Sequence, residues 1–188
     1  RMPMSLKKTS KELLADAIKE LMQHRELKDI SVENILELSG VSRATFYKHF
    51  VDKWALAEQV FLNELANVSF TDYDRPIYEC ETEILRYLDE NRTFYRNALK
   101  SQEFRDAWMR AAYAADIERL ARAYGDRDIP TRDLELFANL LSRTMVDATW
   151  LWITEGPQRH TPEELAFKLA TFVERGTNGL LEPGGLGL

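Results

Sequence analysis

Apolar residues recur every three or four positions along almost the whole chain, and the strict alternation that marks a half-buried strand is nearly absent. Such a pattern places one greasy stripe on each of a series of helices, so the fold expected is all-α. The first stripe is Leu13, Leu14, Ala17, Ile18, Leu21 and Met22, with Ser10 as the expected N-cap and an end near His24 to Glu26. Ser31 is placed to cap a short second helix that turns Val32, Ile35 and Leu36 inward and stops at Gly40, whose missing Cβ suits a left-handed backbone. Ser42 can cap a third helix through about Phe50. Asp52 can cap a fourth, with Leu56, Ala57, Val60, Phe61 and Leu65 inside.

A loop is expected from Asn67 to Pro76, where Asp72, Tyr73, Asp74 and Pro76 interrupt the pattern. Beyond it Ile77, Cys80, Ile84 and Leu88 predict one helix, and Phe94, Tyr95, Ala98 and Leu99 a shorter one. From Glu103 to Tyr124 two apolar faces run together, Phe104, Trp108, Ala111 and Ala115 on one and Met109, Tyr113, Ile117, Leu120 and Tyr124 on the other, as in a central helix covered on two sides. Gly125 to Pro130 reads as a charged loop. The helix from about Thr131 to Thr154 again has two stripes: Phe137, Leu140, Leu141, Thr144, Met145, Ala148 and Trp152 oppose Leu136, Val146, Trp150 and Ile153. Gly156-Pro157 should stop it. Thr161-Pro162-Glu163-Glu164 starts a last helix that buries Leu165, Ala166, Leu169, Ala170, Phe172 and Val173. The domains expected are residues 5–67, residues 68–182 and a loose tail over 183–188.

Charge separates the two parts. The net charge is −6, yet residues 1–67 hold ten basic and ten acidic side chains, so the acidic excess lies entirely beyond them. Lys7, Lys8 and Lys11 make a basic start, and Arg43, Lys48 and Lys53 a second basic group. The single cysteine, Cys80, forms no internal disulfide and is expected to be a small buried apolar residue in a reducing compartment. No run of roughly 20 apolar residues and no signal peptide is visible, so the expectation is a soluble cytoplasmic protein without membrane partners. Arg1 precedes the first methionine; Arg1 to Met4 are left out of the fold argument.

Two short helices joined by a glycine-containing turn, with a longer helix before them, make a helix-turn-helix. In GVSRATFYKHF, residues 40–50, Val41, Phe46 and Phe50 face one way and leave Arg43, Ala44, Thr45, Tyr47, Lys48 and His49 on the others. Arg43 could take a guanine through two hydrogen bonds and Thr45 a base or a thymine methyl. Tyr47, Lys48 and Lys53 suit phosphates, Lys53 from the N-terminus of the fourth helix. His49 could touch phosphate or cap carbonyls, and the basic arm could reach DNA or be a soluble end.

This stretch, followed by Asp52-Lys53, resembles the DNA-binding signature of the TetR family of bacterial transcriptional regulators, and the likeness covers about residues 8–61. The resemblance implies nine or so helices, a homodimer on a roughly palindromic double-stranded operator, and a small-molecule effector pocket in the C-terminal body. It assigns DNA contacts to Arg43, Ala44, Thr45, Tyr47, Lys48, His49 and Lys53. Trp54 departs from the pattern, which usually has a polar residue there. The basic arm and compact body are also faintly similar to the branch that regulates dihydroxyacetone kinase operons.

Phe94, Tyr95, Phe104, Trp108, Tyr113, Phe137, Trp150 and Trp152 could be core or could line an aromatic pocket. Arg143 and Asp147, one turn apart, are expected to pair. Nothing suggests a catalytic residue, a bound metal or a cofactor: His24, His49 and His160 are scattered, and no nucleophile elbow or phosphate-binding loop appears. Glu79, Glu81 and Glu83 spread over different helix faces and read as a solvated acidic surface. The function expected is a DNA-binding regulator, most simply a repressor released by a small molecule; the alternative is a coactivator or ligand sensor acting through a protein partner.

Overall fold

The computed structural model describes residues 8–66, 73–127, 129–154 and 160–181. Among them every regular element is helical: α1 (Ser10–Met22), a 3₁₀ turn (Leu27–Asp29), α2 (Val32–Ser39), α3 (Arg43–His49), α4 (Lys53–Ala66), α5 (Ile77–Glu90), α6 (Arg92–Ala98), α7 (Gln102–Tyr124), α8 (Thr131–Thr154) and α9 (Pro162–Leu181). Lys7, residues 67–72, Gly156-Pro157, the tail over 183–188 and the side chain of Leu65 lie outside the described residues.

Helix ends follow local side-chain chemistry. Ser31 accepts from the Asn34 amide at 3.1 Å while Asn34 accepts from the Ser31 amide, a reciprocal cap. Ser42 accepts from the Thr45 amide, and Asp52 from the Ala55 amide at 2.8 Å. Thr161 and Glu164 close the same kind of box at the start of α9. The cap of α1 is Thr9 and not Ser10, because Glu12, three residues on from Thr9, accepts from the Thr9 amide at 2.7 Å. That helix also ends earlier than expected, at Met22, since Leu27 must swing back into the core through the 3₁₀ turn.

One continuous core runs through both parts of the chain. Leu14, Ile18, Ile35, Phe46 and Phe61 belong to it together with Leu85, Tyr95, Trp108 and Trp152. α1 packs on α2, α4 and α6; α4 lies on α7; α7 runs along α8 and α5 along α9. Asn97 of α6 donates to the Met22 carbonyl at 2.8 Å, and Lys100 reaches Glu26 at 2.7 Å, so the turn after α6 is fastened to the end of α1. A smaller cluster around Leu120 and Ala138 closes the far end of α7 and α8.

Several faces differ from the pattern. α7 buries Ala107, Ala112 and Ala115, with Ala111 only half-buried. On α8, Leu136 and Leu140 are exposed, as is Leu151, whereas Ser142 and Thr149 are buried. Small polar side chains that bond their own helix, as Ser142 does to the Ala138 carbonyl at 2.8 Å, fit under a close neighbour where leucines do not. Phe172 is 59% exposed, not buried, since it lies at the outer edge of the inward stripe Leu165, Ala166, Leu169, Ala170 and Val173. Arg143 and Asp147 do not pair with each other; both are exposed on α8. Cys80 is buried, as expected.

Candidate nucleic-acid interface

Phe46 is fully buried, and Val41 and Phe50 nearly so. Those three fix the rotation of α3, so the residues between them must point away from the core. Arg43, Ala44, Tyr47 and Lys48 are exposed, Thr45 and His49 half-buried. Tyr47 leans its ring edge-on against Phe46, with centroids 5.2 Å apart, which holds the phenol half in solvent. α3 carries no acidic side chain in its first turn and has Lys48 and His49 in its last. The turn before it depends on Gly40, whose φ of 67° lies in the left-handed region.

The predicted contact residues do not form one uniform set. Lys48 makes no hydrogen bond or ion pair among the described residues, leaving its ammonium free to meet an anion. Arg43 is engaged by Glu33 of α2 in an ion pair on the open surface. The Thr45 hydroxyl lies 2.9 Å from that of Ser42 and belongs partly to the cap. Lys53 turns inward: its Nζ donates to the carbonyls of Lys28 at 2.9 Å and Ile30 at 2.6 Å, and burial lowers its pKa. It also lies over the Trp54 ring, 5.1 Å from the centroid, which gives that unusual residue a place. Lys8 pairs with Asp16 at 2.6 Å and Lys11 is exposed; Lys7 lies outside the described residues. Glu33 was not legible from spacing, because ten residues and a turn separate it from Arg43 and only the angle between α2 and α3 brings them together.

In the body, the expected aromatic set divides. Phe61 of α4 meets Tyr95, Phe104 and Trp108 with ring centroids 6.1, 4.5 and 5.4 Å away, and Phe94 stands edge-on to Tyr95 at 5.0 Å. Trp152 is buried too, its indole N–H donating to the His160 carbonyl at 2.7 Å. Tyr113, Phe137 and Trp150 are half-buried, and Trp150 packs under Arg105. Trp108 alone of these lines a cavity of about 40 Å³ between α5, α7 and α8; its other walls include Cys80, Ile84, Met145 and two carboxylates, Glu81 and Asp116. Glu81 therefore corrects the reading of a solvated acidic surface. Its neighbours Glu79 and Glu83 do face outward, where both take hydrogen bonds from Arg75. Burial pushes the Glu81 and Asp116 carboxyls up to about 7 each, with Asp116 adding repulsion at Glu81 and Arg119 opposing both shifts.

Residues 14–60 match the family model described as bacterial regulatory proteins, tetR family. That segment is a TetR-family helix-turn-helix. The matched span holds the helix-turn-helix from α1 into α4, the part whose anchors and free polar face are described above. Over 90 residues the chain is 34% identical to the HTH-type dhaKLM operon transcriptional activator DhaS of Lactococcus lactis subsp. lactis (strain IL1403), a match over 46% of this chain and about half the length of that relative. The fold as a whole is similar to a TetR transcriptional regulator from Streptococcus agalactiae 2603V, with a TM-score of 0.67 at 21% identity over 87% of this chain and 93% of that one. It is also similar to a dihydroxyacetone kinase operon activator DhaS, with a TM-score of 0.64 at 20% identity over 89% and 95%. At those identities the likeness of the body to these TetR-family structures is one of fold. Among the described residues no helix is long and apolar enough to cross a membrane.

Proposed function

We propose that this protein is a homodimeric transcriptional regulator that reads double-stranded DNA with α3 and senses a small molecule in its helical body. Residues 5–67 then form the reading head, and 68–182 the sensing and dimerising part. The observation that carries the reading is the free polar face of α3: Tyr47 and Lys48 open to solvent above a buried Phe46, within the span that matches the TetR family. In this reading Arg43 contacts bases once released from Glu33, Ala44 and Thr45 meet base edges or methyls, and Tyr47, Lys48 and His49 serve the backbone, while Lys53 holds the start of α4 behind them.

The exposed apolar side chains of the body support a dimer. Leu136, Leu140 and Leu151 of α8 and Phe167 and Phe172 of α9 are all half exposed or more, on the two helices that end the chain. A two-fold pairing there would set the two copies of α3 about 34–36 Å apart, in successive major grooves, and so require a roughly palindromic operator. Repression relieved by the effector is the simpler direction. Activation is the second reading, favoured by the sequence match to a relative named as an operon activator.

Mobility shift with the DNA flanking its own gene tests the proposal. Retardation at low salt is expected, with Lys48→Ala weakening it on all fragments and Arg43→Ala changing base preference. No retardation of any such fragment, with the dimer intact by sedimentation, would overturn it.

A further inference from the structure

The partly open cavity between α5, α7 and α8 has an unusual wall. Neither the Glu81 nor the Asp116 carboxyl has a hydrogen-bond or ion-pair partner among the described residues. Both residues are half-buried, and partial desolvation together with the repulsion of Asp116 at Glu81 raises their pKa values. Arg119, which shares the wall, is committed elsewhere: its Nη1 points to the Arg75 carbonyl at 3.4 Å and its guanidinium lies 5.9 Å from the Tyr73 ring centroid. Two half-buried acids that repel each other and pair with no base are a cost to the fold unless something else meets them.

We propose that this cavity is the effector site and that it selects a small organic cation, a protonated amine or amidine head group, held between Glu81 and Asp116 with Trp108 as the aromatic wall. The inference rests on the reading that the body senses a small molecule. An anion would be repelled there. An apolar ligand would bury two carboxyls deeper without pairing them. A divalent metal is poorly served, since no group of three His, Cys, Asp or Glu side chains among the described residues could hold one. A cation with N–H donors supplies both what the carboxyls lack, charge and hydrogen bonds, and an ammonium is further attracted by the indole face. About 40 Å³ admits the head of such a ligand, but not a bulky polycyclic body, without rearrangement.

The wall is also connected to the reading head. Trp108 lines the cavity and packs on Phe61 of α4, the helix that begins at Lys53. A ligand that shifts Trp108 acts on the helix whose first residue holds the loop before α2.

The test uses the full chain and three two-carbon probes, ethylammonium, ethanol and acetate, titrated at pH 7.5 and constant ionic strength, with tryptophan fluorescence and calorimetry as readouts. Saturable binding of ethylammonium in the millimolar range or tighter is expected, with ethanol and acetate at least tenfold weaker. Glu81→Gln and Asp116→Asn, each near-isosteric, should weaken ethylammonium at least tenfold. Binding of acetate or ethanol as tight as the ammonium, no saturation by ethylammonium, or folded variants that bind like the wild type would each overturn the assignment. DNA retardation is scored separately on the same preparation. Retardation without ethylammonium binding defeats this inference and leaves the regulator standing, and ethylammonium binding without retardation defeats the regulator and leaves the cation site standing.

Discussion

Lys48 and Lys53, five residues apart, both read as phosphate contacts, yet the fold uses them differently. Lys48 is exposed and unpaired among the described residues, whereas Lys53 ties the chain before α2 to the start of α4 through two backbone carbonyls. Removing a charged donor from such carbonyls typically costs about 1.5–3 kcal/mol, while an exposed, unpartnered side chain changes stability by about 0.5 kcal/mol or less. Lys53→Ala should therefore lower the urea midpoint clearly and Lys48→Ala hardly at all. On DNA the order reverses: Lys48→Ala should reduce the slope of log affinity against log salt by about one, as expected for one lost phosphate contact. Equal stability for the two variants would remove the structural role assigned to Lys53. The lysines were legible as a basic group from their order in the chain; their different employment was not, because it depends on where the Ile30 carbonyl comes to lie.

At the level of elements, what could be read in advance is what is settled within four residues. The caps at Ser31, Ser42, Asp52 and Thr161 are of this kind, and each start was legible from one side chain and the amide three positions on. Thr9 escaped because Ser10 beside it is an equally good cap in isolation, and Glu12 decides between them. Faces of long helices are less local. Leu140 and Phe172 satisfy the helical period, but period does not say how wide the neighbouring helix is, and both end outside. Gly40 is legible for an equally local reason: the turn from α2 to α3 needs φ above zero, and an added Cβ there would meet nothing within 4 Å. Gly40→Ala should thus destabilise through backbone strain alone, by about 1–2 kcal/mol. The urea midpoint should fall with an unchanged slope, and DNA affinity measured well below that midpoint should be preserved. A loss of DNA affinity in the folded variant would mean that the turn adjusts the angle of α3 as well as permitting it.

For the whole molecule, Glu81 and Asp116 set a dependence on pH opposite to that of the surface. Glu12, Glu26 and Glu163 have lowered pKa values, from backbone and hydroxyl hydrogen bonds at Thr9, from Lys100 and Lys28, and from Arg86 respectively. Their stabilisation is present above the ordinary value of 4.5 and is lost as pH falls below it. Glu81 and Asp116 are raised to about 7 from 4.5 and 3.8, so between those limits the folded state holds protons that the unfolded chain has released. Stability must then fall as pH rises through that window, by up to about 1.4 kcal/mol per pH unit for each independent group, and level off above it. The wild-type urea midpoint should accordingly be higher near pH 5 than near pH 8. Glu81→Gln with Asp116→Asn should flatten that decline and be the more stable protein at pH 8, where the natural pair is charged and unpartnered. A wild-type profile flat from pH 5 to 8 would show that the two carboxyls are solvated. Because neither acid could be placed from the sequence, which sets them 35 positions apart on α5 and α7 with no shared period, this profile measures a property that only the packing of those helices creates.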